Sequence, residues 1–189
     1  GTCFLRIEDT DRRRYQKEAE ADILNSLRWL GLQWDEGPEV GGDYGPYFQS
    51  ERLNLYQHYA HWLVEEGYAY QCYCLPERLS ALREEQRKQK QDVGYDRHCR
   101  YLTAGERAER EAEGITPVVR LKVPLEGQTS FEDILYGTIT VENQSLDDLV
   151  LLKSDGFPTY HLGVVVDDHL MEISHIMRGD EWLPSVPKH

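Results

Sequence analysis

The chain has 189 residues, is 40% hydrophobic and carries a formal net charge of −13. That length suits one large domain or two small ones with a real apolar core. The acidic balance argues against a generic nucleic-acid coat, which needs a cationic surface to displace counterions. Its longest apolar runs, such as Leu162 to Val166, are far too short to span a bilayer. No charged-then-apolar leader is visible, so neither a membrane partner nor a secretory signal is expected.

Residues 3–8 read as a buried strand, with Phe4, Leu5 and Ile7 apolar. The strand runs into Glu8, Asp9 and Asp11 and then into Arg12-Arg13-Arg14, a local basic patch. Acids this close repel one another and are costly to bury unless cations or donors answer them. At the carboxyl end of a strand in an open α/β sheet, such a cluster marks a ligand site. The same residues suit a helix N-cap, where acids complement the dipole, and spacing alone leaves both readings open. Residues 18–30 read as a helix, with Ile23, Leu27 and Leu30 on one face and Gly31 as its stop. Residues 37–48, rich in glycine and proline, form a long loop of the functional kind. A second helix covers 51–66 and stops at Gly67.

The character changes after residue 68. Residues 68–74 are aromatic and cysteine-bearing, and 76–91 and 103–113 read as charged helices. Arg83, Arg87, Lys88 and Lys90, diluted by Glu84 and Glu85, fit a solvated helix face better than a binding patch. Residues 117–123 and 138–143 alternate as antiparallel strands do, with Gln128 to Gly137 as the connection between them. From about Val150 buried strands return. Leu162 to Val166 reads as a parallel-sheet strand ending in Asp167-Asp168-His169. A further strand near Met171 to Met177 ends in Arg178-Gly179-Asp180-Glu181. The expected plan is a parallel α/β core interrupted by an α+β insertion.

The cysteines are Cys3, Cys72, Cys74 and Cys99. Cys72 and Cys74 flank a single residue, which is poor spacing for a mutual disulfide and good spacing for a metal, in a reducing compartment. With Cys99 they fit part of a structural zinc knuckle, and three idle thiols are the plain alternative.

Six segments carry a resemblance. They are FLRIEDTDRRRY at 4–15, Gly31 to Pro38, Tyr47 to Arg52, Leu151 to Tyr160, Val165 to His169 and Ile176 to Trp182. In order and approximate spacing they resemble the bacterial-type glutamyl-tRNA synthetases of class I. The resemblance implies a Rossmann-like parallel sheet split by an inserted α+β domain that grips the tRNA acceptor end. Its first part would cover 1–68, the insertion 69–154 and the second part 155–189. It also implies L-glutamate, ATP with Mg2+ and tRNA(Glu) as partners of a monomeric, cytoplasmic ligase. The family's HIGH-type and KMSKS-type ATP signatures do not occur in these residues, nor does an anticodon-binding domain. The expectation is therefore an internal piece that does not activate glutamate by itself.

A pocket for free glutamate needs an acid for the ammonium and an arginine whose planar fork can take both carboxylate oxygens. By motif, the resemblance assigns Glu8 to the ammonium, Arg178 to the side-chain carboxylate and Tyr160 to a hydroxyl donor. It sets Glu181 near the nucleotide. Salt bridging for Glu8 and Arg178, and packing for Tyr160, are the plain alternatives. No catalytic nucleophile or base is expected, because the chemistry is positioning and charge stabilisation. Some members of the family carry zinc, with a fourth ligand two residues after the last cysteine; here that residue is Tyr101. The related glutamyl-queuosine enzymes use a tyrosine at the spacing of Tyr95, so the resemblance ranks Tyr95 first and Tyr101 second, with His98 also adjacent. Asp167-Asp168-His169 is expected to shape the site's floor structurally, and His161 stands open between pocket and packing. Rival readings are a glutamyl-queuosine tRNA(Asp) synthetase-like enzyme, a non-catalytic RNA-binding module and, more weakly, a glutamine synthetase of the same subclass.

Overall fold

A computed structural model describes residues 1–11 and 16–189. The basic patch Arg12-Arg13-Arg14 lies outside the described residues. The elements are α1 (Lys17–Trp29), a 3-10 turn (Gln49–Arg52), α2 (Leu53–Glu65), β1 (Ala69–Cys72), α3 (Pro76–Lys88), α4 (Ala104–Ala112) and β2 (Val118–Leu121). They continue with β3 (Gln128–Asp133), β4 (Gly137–Glu142), a 3-10 turn (Asn143–Ser145), β5 (Val150–Leu152), α5 (Tyr160–Leu170) and a 3-10 segment (Asp180–Lys188). No helix among the described residues is long and apolar enough to cross a membrane.

The core follows from α2. Tyr56 and Ala60 are fully buried, and Leu53, Leu63 and Val64 lie on the same stripe at helical spacing. That stripe packs on Ala69 of β1, Val119 of β2, Leu151 and Leu152 of β5, and Leu162 and Val166 of α5. The strands form an antiparallel sheet in the order β1-β2-β5. Successive residues of a strand face opposite sides. Ala69 therefore joins the helices, while Tyr70 and Cys72 join a second cluster with Tyr73 and Cys99. One sheet thus has the helical core on one face and the cysteines on the other. The first cluster runs across both sequence boundaries, 68/69 and 154/155.

Two buried carboxylates tie this core together. Asp148 accepts from Tyr70 Oη at 2.8 Å, from Arg100 Nη1 at 2.8 and 3.1 Å, and from the backbone of Val123 at 3.3 Å. Asp167 accepts from Gln49 Nε2, Arg52 Nε and Tyr56 Oη, each at 2.8 Å. Both carboxylates are fully buried, which is tolerable only because donors and guanidinium groups answer them.

The structure alters four expectations. Residues 3–8 form no continuous strand. They make single parallel bridges, Phe4 with Glu36 and Ile7 with Phe48, along one edge. Gln128 to Gly137 is not a connection between β2 and β4. Its first six residues are β3, the hairpin partner of β4 from Gln128↔Glu142 to Asp133↔Gly137, so 117–123 and 138–143 belong to separate sheets. Leu162 to Val166 is not a strand but the middle of α5. An apolar run of that length fits a buried helix as well as a buried strand. Met171 to Met177 forms no strand either, and no paired partner lies beside it among the described residues. Helix expectations hold to within two or three residues at each end, with Gly31 and Gly67 in left-handed conformation just past α1 and α2.

Candidate functional site

The acid cluster resolves into distinct roles. Asp9 caps the turn at Gln49–Arg52 from a remote segment, taking the Ser50 N–H at 2.8 Å and the Ser50 hydroxyl at 2.5 Å. Glu8 instead stays 41% exposed along its side chain and meets Arg6 Nη2 at 3.5 Å. Lys153 donates from Nζ to the Thr10 carbonyl at 3.0 Å, which ties the segment before α5 to the end of the first one.

Tyr160 opens α5, and its hydroxyl is buried with no hydrogen-bond partner among the described residues. Burial pushes this phenol above its ordinary value; Arg178 opposes the shift, while Glu8 and Asp168 add to it. Glu8 and Arg178, far apart in sequence, are thus both within electrostatic reach of Tyr160. The Arg178 guanidinium carbon lies 4.9 Å from the Tyr160 ring centre and 4.8 Å from that of Trp182, a stacked arrangement over two aromatic faces. Trp182 and His189 flank Tyr160 with centroids at 5.4 and 5.9 Å, and His161 Nδ1 lies 2.9 Å from His189 Nε2. Burial lowers the His161 imidazole below its ordinary value. Glu181 folds back over Gly179, where an added Cβ would come within 2.3 Å of its carboxylate. Its neighbour Asp180 accepts from Tyr136 Oη at 2.8 Å, which joins the tip of the β3–β4 hairpin to this segment.

Asp167 and Asp168 sit inside α5 rather than after a strand. Asp167 is the buried hub described above, in keeping with a structural floor. The motifs assign no role to Arg6. Its Nη1 donates to Asp168 Oδ1 at 2.9 Å, joining the Glu8 segment to α5. The available signal was its spacing, two residues before Glu8 in an extended segment and therefore on the same face.

The second site is the cysteine cluster. The sulfurs of Cys72, Cys74 and Cys99 all lie within 4.8 Å of one another. A tetrahedral zinc with bonds of about 2.3 Å needs sulfurs about 3.8 Å apart. Tyr95 Oη lies 3.3 Å from Cys72 Sγ and 3.4 Å from Cys74 Sγ, and it accepts the Cys99 N–H at 2.9 Å. Tyr101 is 69% exposed and His98 is exposed; neither joins the group. Cys72 is the thiol held below its ordinary value, by hydrogen bonds from Cys74 and then Cys99. Arg78 Nη1 adds a cation 3.5 Å from Cys74 Sγ. The donor set fits a four-coordinate, closed, structural ion.

The family described as class I tRNA synthetases (E and Q), catalytic domain, matches residues 1–189. The chain belongs to this family. Its relatives include the glutamate–tRNA ligase of Dehalococcoides mccartyi, 59% identical over 189 residues, and that of Borrelia duttonii, 56% identical over 190. The match covers 100% of this chain and 38% of each relative, so the chain spans under two-fifths of their length. A crystal structure of a glutamate tRNA ligase from Elizabethkingia meningosepticum, in complex with its amino acid, superposes with a TM-score of 0.92 at 39% identity. It covers 99% of this chain and 39% of that one. The fold is therefore the α/β fold of the class I catalytic domain. Among the described residues its parallel component is the two bridges at Phe4 and Ile7.

Proposed function

We propose that this chain is the glutamate-clasping part of a glutamate–tRNA ligase. The complete protein activates L-glutamate with ATP and transfers it to the 3′ end of tRNA(Glu) in the cytoplasm, where thiols stay reduced. The carrying observation is the buried hydroxyl of Tyr160, unpartnered among the described residues, with Glu8 and Arg178 both in electrostatic reach of it. Glu8 takes the substrate ammonium. Arg178 takes the side-chain carboxylate through its fork, and Tyr160 donates a third contact. So held, the α-carboxylate is free to attack the α-phosphate of ATP, and orientation supplies most of what this chain adds. Magnesium, when bound with ATP, neutralises charge on the phosphates. Glu181 borders the nucleotide side, and the 69–154 segment meets the tRNA acceptor end.

Tyr160→Phe in the complete protein tests the reading. Removing a buried, unsatisfied hydroxyl leaves the melting temperature unchanged or raises it. The KM for glutamate rises about tenfold or more, because a hydrogen bond to a charged group contributes about 1.5–3 kcal/mol. A lower melting temperature with unchanged KM would mean that Tyr160 only packs.

Cys72, Cys74, Cys99 and Tyr95 hold a structural zinc in this reading. Elemental analysis of the complete protein should find about one zinc per chain, and a chelator should lower its melting temperature. Tyr95→Phe should lose the ion at a lower chelator concentration, and Tyr101→Phe should not. Equal retention in both variants would remove Tyr95 from the ligand set. The cysteine pattern and a tyrosine at this spacing favour the glutamyl-queuosine reading. Identities of 54–59% to eight glutamate–tRNA ligases weigh more.

A further inference from the structure

Arg6 is surrounded by three carboxylates and bonds well to only one. Its Nη1 donates to Asp168 Oδ1 at 2.9 Å and lies 3.6 Å from Met171 Sδ. Its Nε is 3.5 Å from Asp167 Oδ2 and its Nη2 is 3.5 Å from Glu8 Oε1. Asp167 is already engaged by Gln49, Arg52 and Tyr56. The competition for this guanidinium, 14% exposed along its side chain, is therefore between Asp168 on α5 and Glu8 on the first segment. A charge-assisted bond near 2.9 Å is strong, and one at 3.5 Å is at the limit of hydrogen bonding.

A substrate ammonium at Glu8 would compete with Arg6 for the same carboxylate. We propose that Asp168 is a positioning residue that holds Arg6 off Glu8 and so keeps Glu8 open to the substrate's ammonium. This rests on the reading of Glu8 given above and adds a specific partner to it. Asp168 touches no substrate; it acts through Arg6. Neutralising Asp168 weakens its bond and lets the guanidinium close on Glu8, so that glutamate must displace an internal ion pair before it binds.

The test uses the complete enzyme, with glutamate titrated at saturating ATP and tRNA, and with melting temperatures recorded alongside. Asp168→Asn is expected to raise the KM for glutamate about tenfold, with kcat within about twofold and the KM for ATP unchanged. The double variant Arg6→Gln/Asp168→Asn removes the competitor and is expected to bring that KM back toward wild type. Arg6→Lys keeps the charge and one bond to Asp168 but cannot span both acids, so its KM should stay near wild type; this milder variant serves if Asp168→Asn folds poorly. An unchanged KM in Asp168→Asn, a double variant as impaired as the single, or a raised KM in Arg6→Lys overturns the proposal. Glu8→Gln separates the two levels. A raised KM there beside an unchanged Asp168→Asn defeats the positioning role alone. An unchanged KM in Glu8→Gln defeats the glutamate reading beneath it.

Discussion

Arg178→Ala in the complete protein is expected to raise the KM for glutamate about a hundredfold while leaving the KM for ATP within about threefold. The reasoning is one of charge and shape. A carboxylate accepts both arms of a guanidinium, so the contact is charge-assisted and bidentate. Glutamine offers an amide that can accept only one arm and sets its own N–H groups against the other. The arginine is then left partly unpaired, and the site rejects the amide. Arg178→Ala should therefore also narrow the preference for glutamate over glutamine. The fold should barely respond. Arg178 is exposed and its contacts are the rings of Tyr160 and Trp182. Exposed cation–π contacts contribute only about 0.5–1 kcal/mol. A variant with a near-normal KM for glutamate would remove Arg178 from the pocket.

Asp167→Ala has the opposite profile: a large loss of stability in a residue that need not meet substrate. The carboxylate is fully buried and answers Gln49, Arg52 and Tyr56 at once. Arg52 is 3% exposed along its side chain, so truncation strands a buried cation. Breaking a buried pair by removing one partner costs about 3–5 kcal/mol. In a domain of this size that lowers the melting temperature by about 10 °C or more. Asp167→Asn, which keeps an acceptor and the volume, should cost less. Thermal unfolding of the two variants checks this, and a loss under about 1 kcal/mol for Asp167→Ala would show that water reaches the cluster freely.

The helices were legible because their signals are local. α2 repeats its apolar residues at 53, 56, 60, 63 and 64 and stops at a glycine, so its face and its end are written in the sequence. The residues of α5 carry no such stripe. Leu162, Val164 and Val166 are buried, and so are Gly163 and Asp167. A helix buried on most sides, with three consecutive β-branched valines, looks like a parallel strand. Tertiary packing against α2 and the buried hydrogen bonds of Asp167 override that propensity. β3 was missed for the converse reason. Its sequence, Gln128 to Asp133, has Phe131 as its one large apolar residue, and its stability comes from pairing with β4.

The site was legible in part. Cys72, Cys74 and Cys99 converge as their spacing suggested, and Tyr95 joins them. What the sequence could not carry is the allocation of the three acids after Ile7. Asp9 goes to a turn about forty positions away, a long-range contact with no local signature. Arg6 sits between Leu5 and Ile7, and its bond to Asp168 exists only because α5 folds back against the first segment.

The most direct measurement is a crystal structure of the complete protein with L-glutamate bound. The account predicts the ligand's nitrogen within about 3.2 Å of the Glu8 carboxylate and both oxygens of its side-chain carboxylate on the Arg178 guanidinium, with Tyr160 Oη donating to the ligand. Glutamate bound with its ammonium away from Glu8, or with its side-chain carboxylate on a cation other than Arg178, would contradict it.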